Sequence, residues 1–192
     1  TRVLQSALEL IEAPEGPVLV DFPDDAPGSK EPMILACPVN FPAPVSDLND
    51  MEQLNANLQR EVGELRSWYN LAVTKNSRTT FGVSGLEPEE VGAFLGAFLD
   101  ESIPESPRDD MTSFTLLKLV IEDLKAYYYE AMAAQPRHAG ATGKMLADWL
   151  WGETTAGKVF YALHEHWRES EDSNKRLFSR ILLVPTSYLA DS

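Results

Sequence analysis

Along most of this chain apolar residues recur at steps of three and four, the spacing that brings them to one face of an α-helix. Between Asp110 and Ala133 the stripe is Phe114, Leu117, Ile121, Leu124, Tyr128 and Ala131, widened by Leu116, Val120 and Tyr127. An arc so broad packs neighbours on more than one side, so this segment is expected to be the central helix, with Lys118, Glu122 and Lys125 on its solvated strip. Asp109 or Asp110 is positioned to cap it.

Upstream, Met51, Leu54, Leu58, Val62, Leu65, Tyr69 and Ala72 predict a long helix. Asn49 and Glu52 have capping-box spacing at its start, and the polar cluster Lys75-Asn76-Ser77 ends it. A third helix begins near Pro88, with Glu89 and Glu90 in the first turn and Val91, Phe94, Leu95 and Phe98 along its apolar side. Gly92 and Gly96 leave room on it for a close neighbour, at about 1 kcal/mol each in helix propensity. Met145, Leu146, Trp149 and Leu150, followed by Val159, Phe160, Leu163 and Trp167, predict two short helices or one kinked near Gly152 and Gly157. A last helix over residues 173–183 stops before Pro185, and residues 186–192 are expected to fray. Near the start, Leu4, Ala7, Leu8 and Ile11 share one side of a short helix closed by Pro14.

Residues 14–46 break the pattern. Eight prolines between Pro14 and Pro44 punctuate two apolar runs, Val18-Leu19-Val20 and Ile34-Leu35-Ala36, which suit an extended arm or two short edge strands. The prediction is a mainly α protein of one domain over residues 1–192. A helical bundle of about five to six helices spans 47–192, and the proline-rich extended arm occupies 14–46.

Composition narrows the function by exclusion. A hydrophobic content of 44% supplies a sizeable core, and the net charge of −14 repels phosphate backbones and anionic lipid. With no Lys/Arg cluster standing out along the sequence, nucleic-acid binding is disfavoured. No apolar run approaches the roughly 20 residues that span a bilayer, and Thr1-Arg2-Val3-Leu4 does not open a signal peptide. Cys37 is the only cysteine, which rules out an intrachain disulfide and points to a cytoplasmic setting; it is expected to be buried packing.

Four features carry candidate chemistry. His164-Glu165-His166 is misphased for a metal, because residues two apart point about 200° apart on a helix; no metal site is expected. His138, in the preceding loop, joins His164 only if the fold brings it there. Asp123 and Glu130 share one side of the central helix with Tyr127 between them. They are either an acid or base in a pocket or rim carboxylates in water. Residues 78–85 offer the Arg78 guanidinium, the hydroxyls of Thr79, Thr80 and Ser84, and two glycines before a helix start, a combination that reads first as a structural turn and second as a site for a small anion, though not a phosphate-loop motif. Finally, Tyr127, Tyr128 and Tyr129 fan across about 200°, so one is expected to leave the core. Tyr129 falls on the polar strip, and one of Trp149 and Trp151 is expected to escape the main interface of its helix in the same way, to be met by a partner or covered by the proline-rich arm.

Two functional readings follow. The first is a non-catalytic cytosolic accessory or interaction protein that binds a protein partner or its own copy through Tyr129, Trp149, Trp151 and the arm. The second is a small enzyme or ligand-binding protein holding a small anionic compound between helices, with Arg78, Ser84, Asp123, Tyr127, His138 and His164 as lining; no cofactor is indicated.

Overall fold

The computed structural model describes residues 2–12, 14, 16, 20–22, 50–100, 102–136 and 141–189, among which there are helices and no strand. The chain divides into two units, Thr1–Pro32 and Met33–Ser192. The first holds helix α1, Arg2–Glu9, continued by a tighter turn at Leu10–Glu12, and none of these residues is buried. Almost all of the expected arm, with Cys37 and Asn49, lies outside the described residues.

The second unit carries α2 (Asp50–Asn76), α3 (Pro88–Gly96), α4 (Ser113–Ala134), α5 (Gly143–Glu153), α6 (Thr155–Trp167) and α7 (Ser173–Phe178). Central α4 packs against α2, α3 and α5, and this enclosure is why its apolar arc is so wide. Leu116, Leu117, Val120, Ile121, Tyr127, Tyr128 and Ala131 are all fully buried. No described helix is long and apolar enough to cross a membrane.

Helix ends are set by hydroxyls more often than by the residues the sequence suggested. Thr112, not Asp109 or Asp110, caps α4: its Oγ1 accepts from the Thr115 amide at 3.3 Å. Asp110 is held instead by Arg108, whose Nε and Nη2 donate to the two carboxylate oxygens at 2.9 and 2.7 Å. The α5–α6 junction is a break between two helices, and it falls at Thr154 rather than at a glycine. The Thr154 hydroxyl donates to Leu150 O at 2.7 Å and accepts from the Gly157 amide at 3.0 Å, closing one helix and opening the next.

The glycines serve close approach. A Cβ on Gly92 would lie 3.1 Å from Val62 Cγ2, and one on Gly96 would strike Asn55, so α3 sits tightly on α2 as its Gly-Gly spacing suggested. After α7 the chain passes through a π turn, Ser179–Leu183, instead of continuing as α-helix. Residues up to 189 do not fray: Tyr188 stacks on Trp151 at 6.0 Å, donates to Asp148 Oδ1 at 2.8 Å, and its carbonyl accepts from the Tyr161 hydroxyl at 2.8 Å.

Gly157→Ala drives a methyl into the Leu150 carbonyl, backbone that has no means of yielding, and is expected to destabilise the protein by about 2 kcal/mol or more. Gly152→Ala, with nothing within 4 Å, is expected to stabilise by up to about 1 kcal/mol. Urea midpoints of the two variants measure both, and equal midpoints would contradict the packing described.

Candidate functional site

One face of α4 carries Asp123, Tyr127 and Glu130 at steps of four and three, and the connector between α2 and α3 runs across it. The two features that the sequence offered as separate candidates are therefore one arrangement. Asp123 is fully buried. Its Oδ1 accepts from the amides of Gly82 and Val83 at 2.7 and 3.0 Å, and its Oδ2 from the amide and hydroxyl of Ser84 at 2.8 and 2.5 Å. Gly82, at φ 115°, takes a backbone angle that an L side chain resists and so helps turn successive amides toward one point. The connector is a structural turn, and the carboxylate that its amides and hydroxyl hold is the protein's own Asp123.

Glu130 repeats the arrangement nearer the surface. Its Oε1 accepts from the Thr80 amide at 2.7 Å and hydroxyl at 2.8 Å, and its Oε2 from the Thr79 hydroxyl at 2.7 Å. Arg108 closes the other end of the connector, its Nη1 donating to Ser84 O at 2.7 Å. A third carboxylate, Glu61 of α2, reaches the start of α6. It accepts from the amides of Thr155 and Ala156 and from the hydroxyls of Thr155 and Tyr128, all within 3.2 Å. An acid placed there also meets the positive end of the α6 dipole.

These contacts decide what the arrangement can do chemically. A carboxylate offers about four acceptor positions, and Asp123 has four donors, so it has none left for a substrate proton. Ser84 gives its proton to Asp123 and accepts from the Leu86 amide at 3.2 Å, leaving no base free to activate it. Tyr127 donates to Val62 O at 2.6 Å inside the core. Arg78 is exposed and stands apart from this network, and His138 lies outside the described residues. His164 sits elsewhere, its Nδ1 3.0 Å from Ser179 O. Among the described residues nominated as ligand lining, Ser84 and Asp123 meet, Tyr127 shares their face of α4 but turns its hydroxyl to Val62, and Arg78 and His164 stand apart.

The aromatic expectations are corrected in part. Trp149 and Trp151, one of which was nominated for a partner, are 4% and 5% exposed, so neither ring is open to one. They diverge as the helix requires, but each direction is covered: Trp149 meets Tyr128 at 5.9 Å, and Trp151 meets Phe160 at 5.4 Å. Tyr127 and Tyr128 are both fully buried, the former against Tyr69 at 4.9 Å. Tyr129 is the half-buried member of the three.

Burial pushes the phenols of Tyr127 and Tyr128 well above their ordinary range, with the charges of Glu89 and Glu61 adding to it respectively. Tyr188 is pushed up to about 12, first by burial and then by its bond to Asp148. Sequence reasoning missed Glu61 and Arg108, whose partners lie far along the chain and leave no local signal. Among the described residues no group of three His, Cys, Asp or Glu is placed to hold a metal ion. The chain matches no family model, no curated protein and no solved structure.

Asp123→Ala strands three buried or half-buried amides and is expected to lower stability by about 3 kcal/mol or more, whereas Arg78→Ala is expected to change it by less than about 0.5 kcal/mol. Chemical denaturation of both variants is the check. On the alkaline side, the folded phenol of Tyr188 titrates near 12 and the unfolded one near 10, so its contribution is complete below pH 10 and is lost as the pH rises toward 12. Urea midpoints should fall across that window, and Tyr188→Phe should flatten the fall; a midpoint independent of pH there would contradict the assignment.

Proposed function

We propose that this protein is a non-catalytic binding protein, an accessory or assembly factor, that engages a protein partner through α1. The observation that carries this reading is the apolar side of α1. Val3, Leu4 and Leu8, with Ile11 just beyond, are 57%, 70%, 63% and 77% exposed. A helix of 8 residues is marginal in water by itself, since nucleation is unfavourable and most helical stability in proteins comes from covering an apolar face. Such a helix laid in a groove is a common mode of recognition, read through anchors at steps of three and four.

The partner's chemistry follows from the flanks of that ridge. Glu9 and Glu12 border the apolar residues, and the chain as a whole carries −14. The complementary surface is an apolar groove edged by lysine or arginine on another protein. The absence of catalysis draws support from the helical unit, where Asp123, Ser84 and Tyr127 are each engaged in holding the fold. Tyr129, half-buried, is the one of the three suggested contact aromatics still available to such a partner. Acidic charge and a single cysteine suit a cytoplasmic setting.

The test compares wild type with Leu4→Glu/Leu8→Glu, both full-length and tagged in the native host. Expected are a stoichiometric partner whose retention falls at least about ten-fold in the variant, and slowed amide exchange of α1 in the isolated complex, with the urea midpoint unchanged. A variant that keeps the partner overturns the proposal. A variant with a lowered urea midpoint overturns it too, because α1 would then be covering its own chain.

A further inference from the structure

We infer that the cleft between the end of α6, α7 and the π turn binds a phosphoryl group. The cleft encloses about 450 Å³ and is lined by His164, Arg168, Ser173, Arg176, Ser179 and Arg180. That size suits a small organic phosphate or a phosphorylated side chain rather than a bare ion. In a chain of net charge −14, this is where the fold gathers guanidinium groups. The sequence conceals it, because Glu165, Glu169, Glu171 and Asp172 alternate with the basic residues and cancel them in any linear window.

Folding sorts those charges. Arg168 is partly neutralised by Glu165 at 3.3 Å and Glu169 at 3.8 Å. Arg176 is not: its Nη1 donates to the backbone carbonyls of Ser170 and Glu171, which fix the guanidinium in place while leaving its charge uncompensated. Arg180 makes no ion pair or hydrogen bond among the described residues. Asp172 is engaged as the cap of α7, its Oδ1 accepting from the amide of Asn174 at 2.7 Å, and it makes no ion pair with these arginines. The wall is stiff where it needs to be. Ser179 is buried, its hydroxyl donates to His164 O at 3.0 Å, and its carbonyl faces His164 Nδ1 at 3.0 Å, so any imidazole contact to a ligand falls to Nε2. The π turn that begins at Ser179 also carries Arg180, and such turns recur at functional sites.

The donor count selects the ligand. A carboxylate is satisfied by one guanidinium fork, whereas two uncompensated forks, a third partly paired one and the Ser173 hydroxyl offer more donors than two oxygens accept. A phosphoryl dianion, with three terminal oxygens, fits that supply. Leu177, on the same wall and 45% exposed, gives apolar contact to whatever bears the phosphoryl group.

The full-length protein is titrated calorimetrically with inorganic phosphate, glycerol phosphate, and a phosphoserine peptide beside its unphosphorylated form, against sodium chloride at matched ionic strength. Saturable phosphate binding is expected, weakened at least about ten-fold by Arg180→Ala and unchanged by Lys158→Ala, an exposed cation of α6 outside the cleft. Tighter binding of the phosphopeptide assigns the phosphoryl group to a protein, and tighter binding of glycerol phosphate assigns it to a small molecule. The Leu4→Glu/Leu8→Glu variant should titrate as wild type, which separates this site from the α1 partner. Heat no different from that of chloride, or Arg180→Ala titrating as wild type, overturns the inference.

Discussion

A carboxylate sealed inside a helical core is unfavourable unless donors surround it, and the arrangement around Asp123 meets that condition with four. The relation is mutual. The connector from α2 to α3 has no regular structure to satisfy its amides, and Asp123 takes up three of them in succession. Fixing the connector at 82–84 sets where α3 begins relative to α4, and α3 can then close on α2 through Gly92 and Gly96. Removing the charge would release the connector at its buried centre, with Arg108 and Glu130 left to hold its two ends.

The same device recurs with Glu130 and Glu61, so part of the strong acidity of this chain is structural. Its carboxylates serve as internal anions for backbone that lacks other partners: a connector in two cases, the first turn of α6 in the third. Between these anchors lies a chain of rings running from Phe81 through Tyr69, Tyr127 and Tyr128 to Trp149. The phenols in it end on protein acceptors, Val62 O for Tyr127 and Glu61 for Tyr128, and so remain protonated well beyond their ordinary range. A core built this way leaves the polar groups of Asp123, Ser84 and Tyr127 occupied by the fold itself.

Periodicity alone placed the helices, because the apolar stripes of α2, α4 and α6 are local properties of the sequence. Boundaries were less legible where a threonine outcompeted a nearby aspartate or glycine, as at Thr112 and Thr154, since the winner is decided by where the partner amide falls. The anion-seeking character of residues 78–85 could be read from its glycines and hydroxyls, but not that the anion would be Asp123, some forty residues away in sequence. Counting directions around a helix says correctly that Trp149 and Trp151 diverge, but not what lies in each direction: α4, α6 and the segment ending at Tyr188 cover both sides of α5. The arginine cleft was invisible for a similar reason: acidic neighbours mask it in one dimension, whereas in three Glu165 and Glu169 pair with Arg168 and leave Arg176 and Arg180 without an acidic partner among the described residues.

Amide hydrogen exchange at Gly82, Val83 and Ser84 tests the dependence on Asp123 most directly. If the carboxylate holds the connector, these three amides open only with the core and exchange about as slowly as those in the middle of α4. Exchange at the pace of an open surface loop would contradict the account.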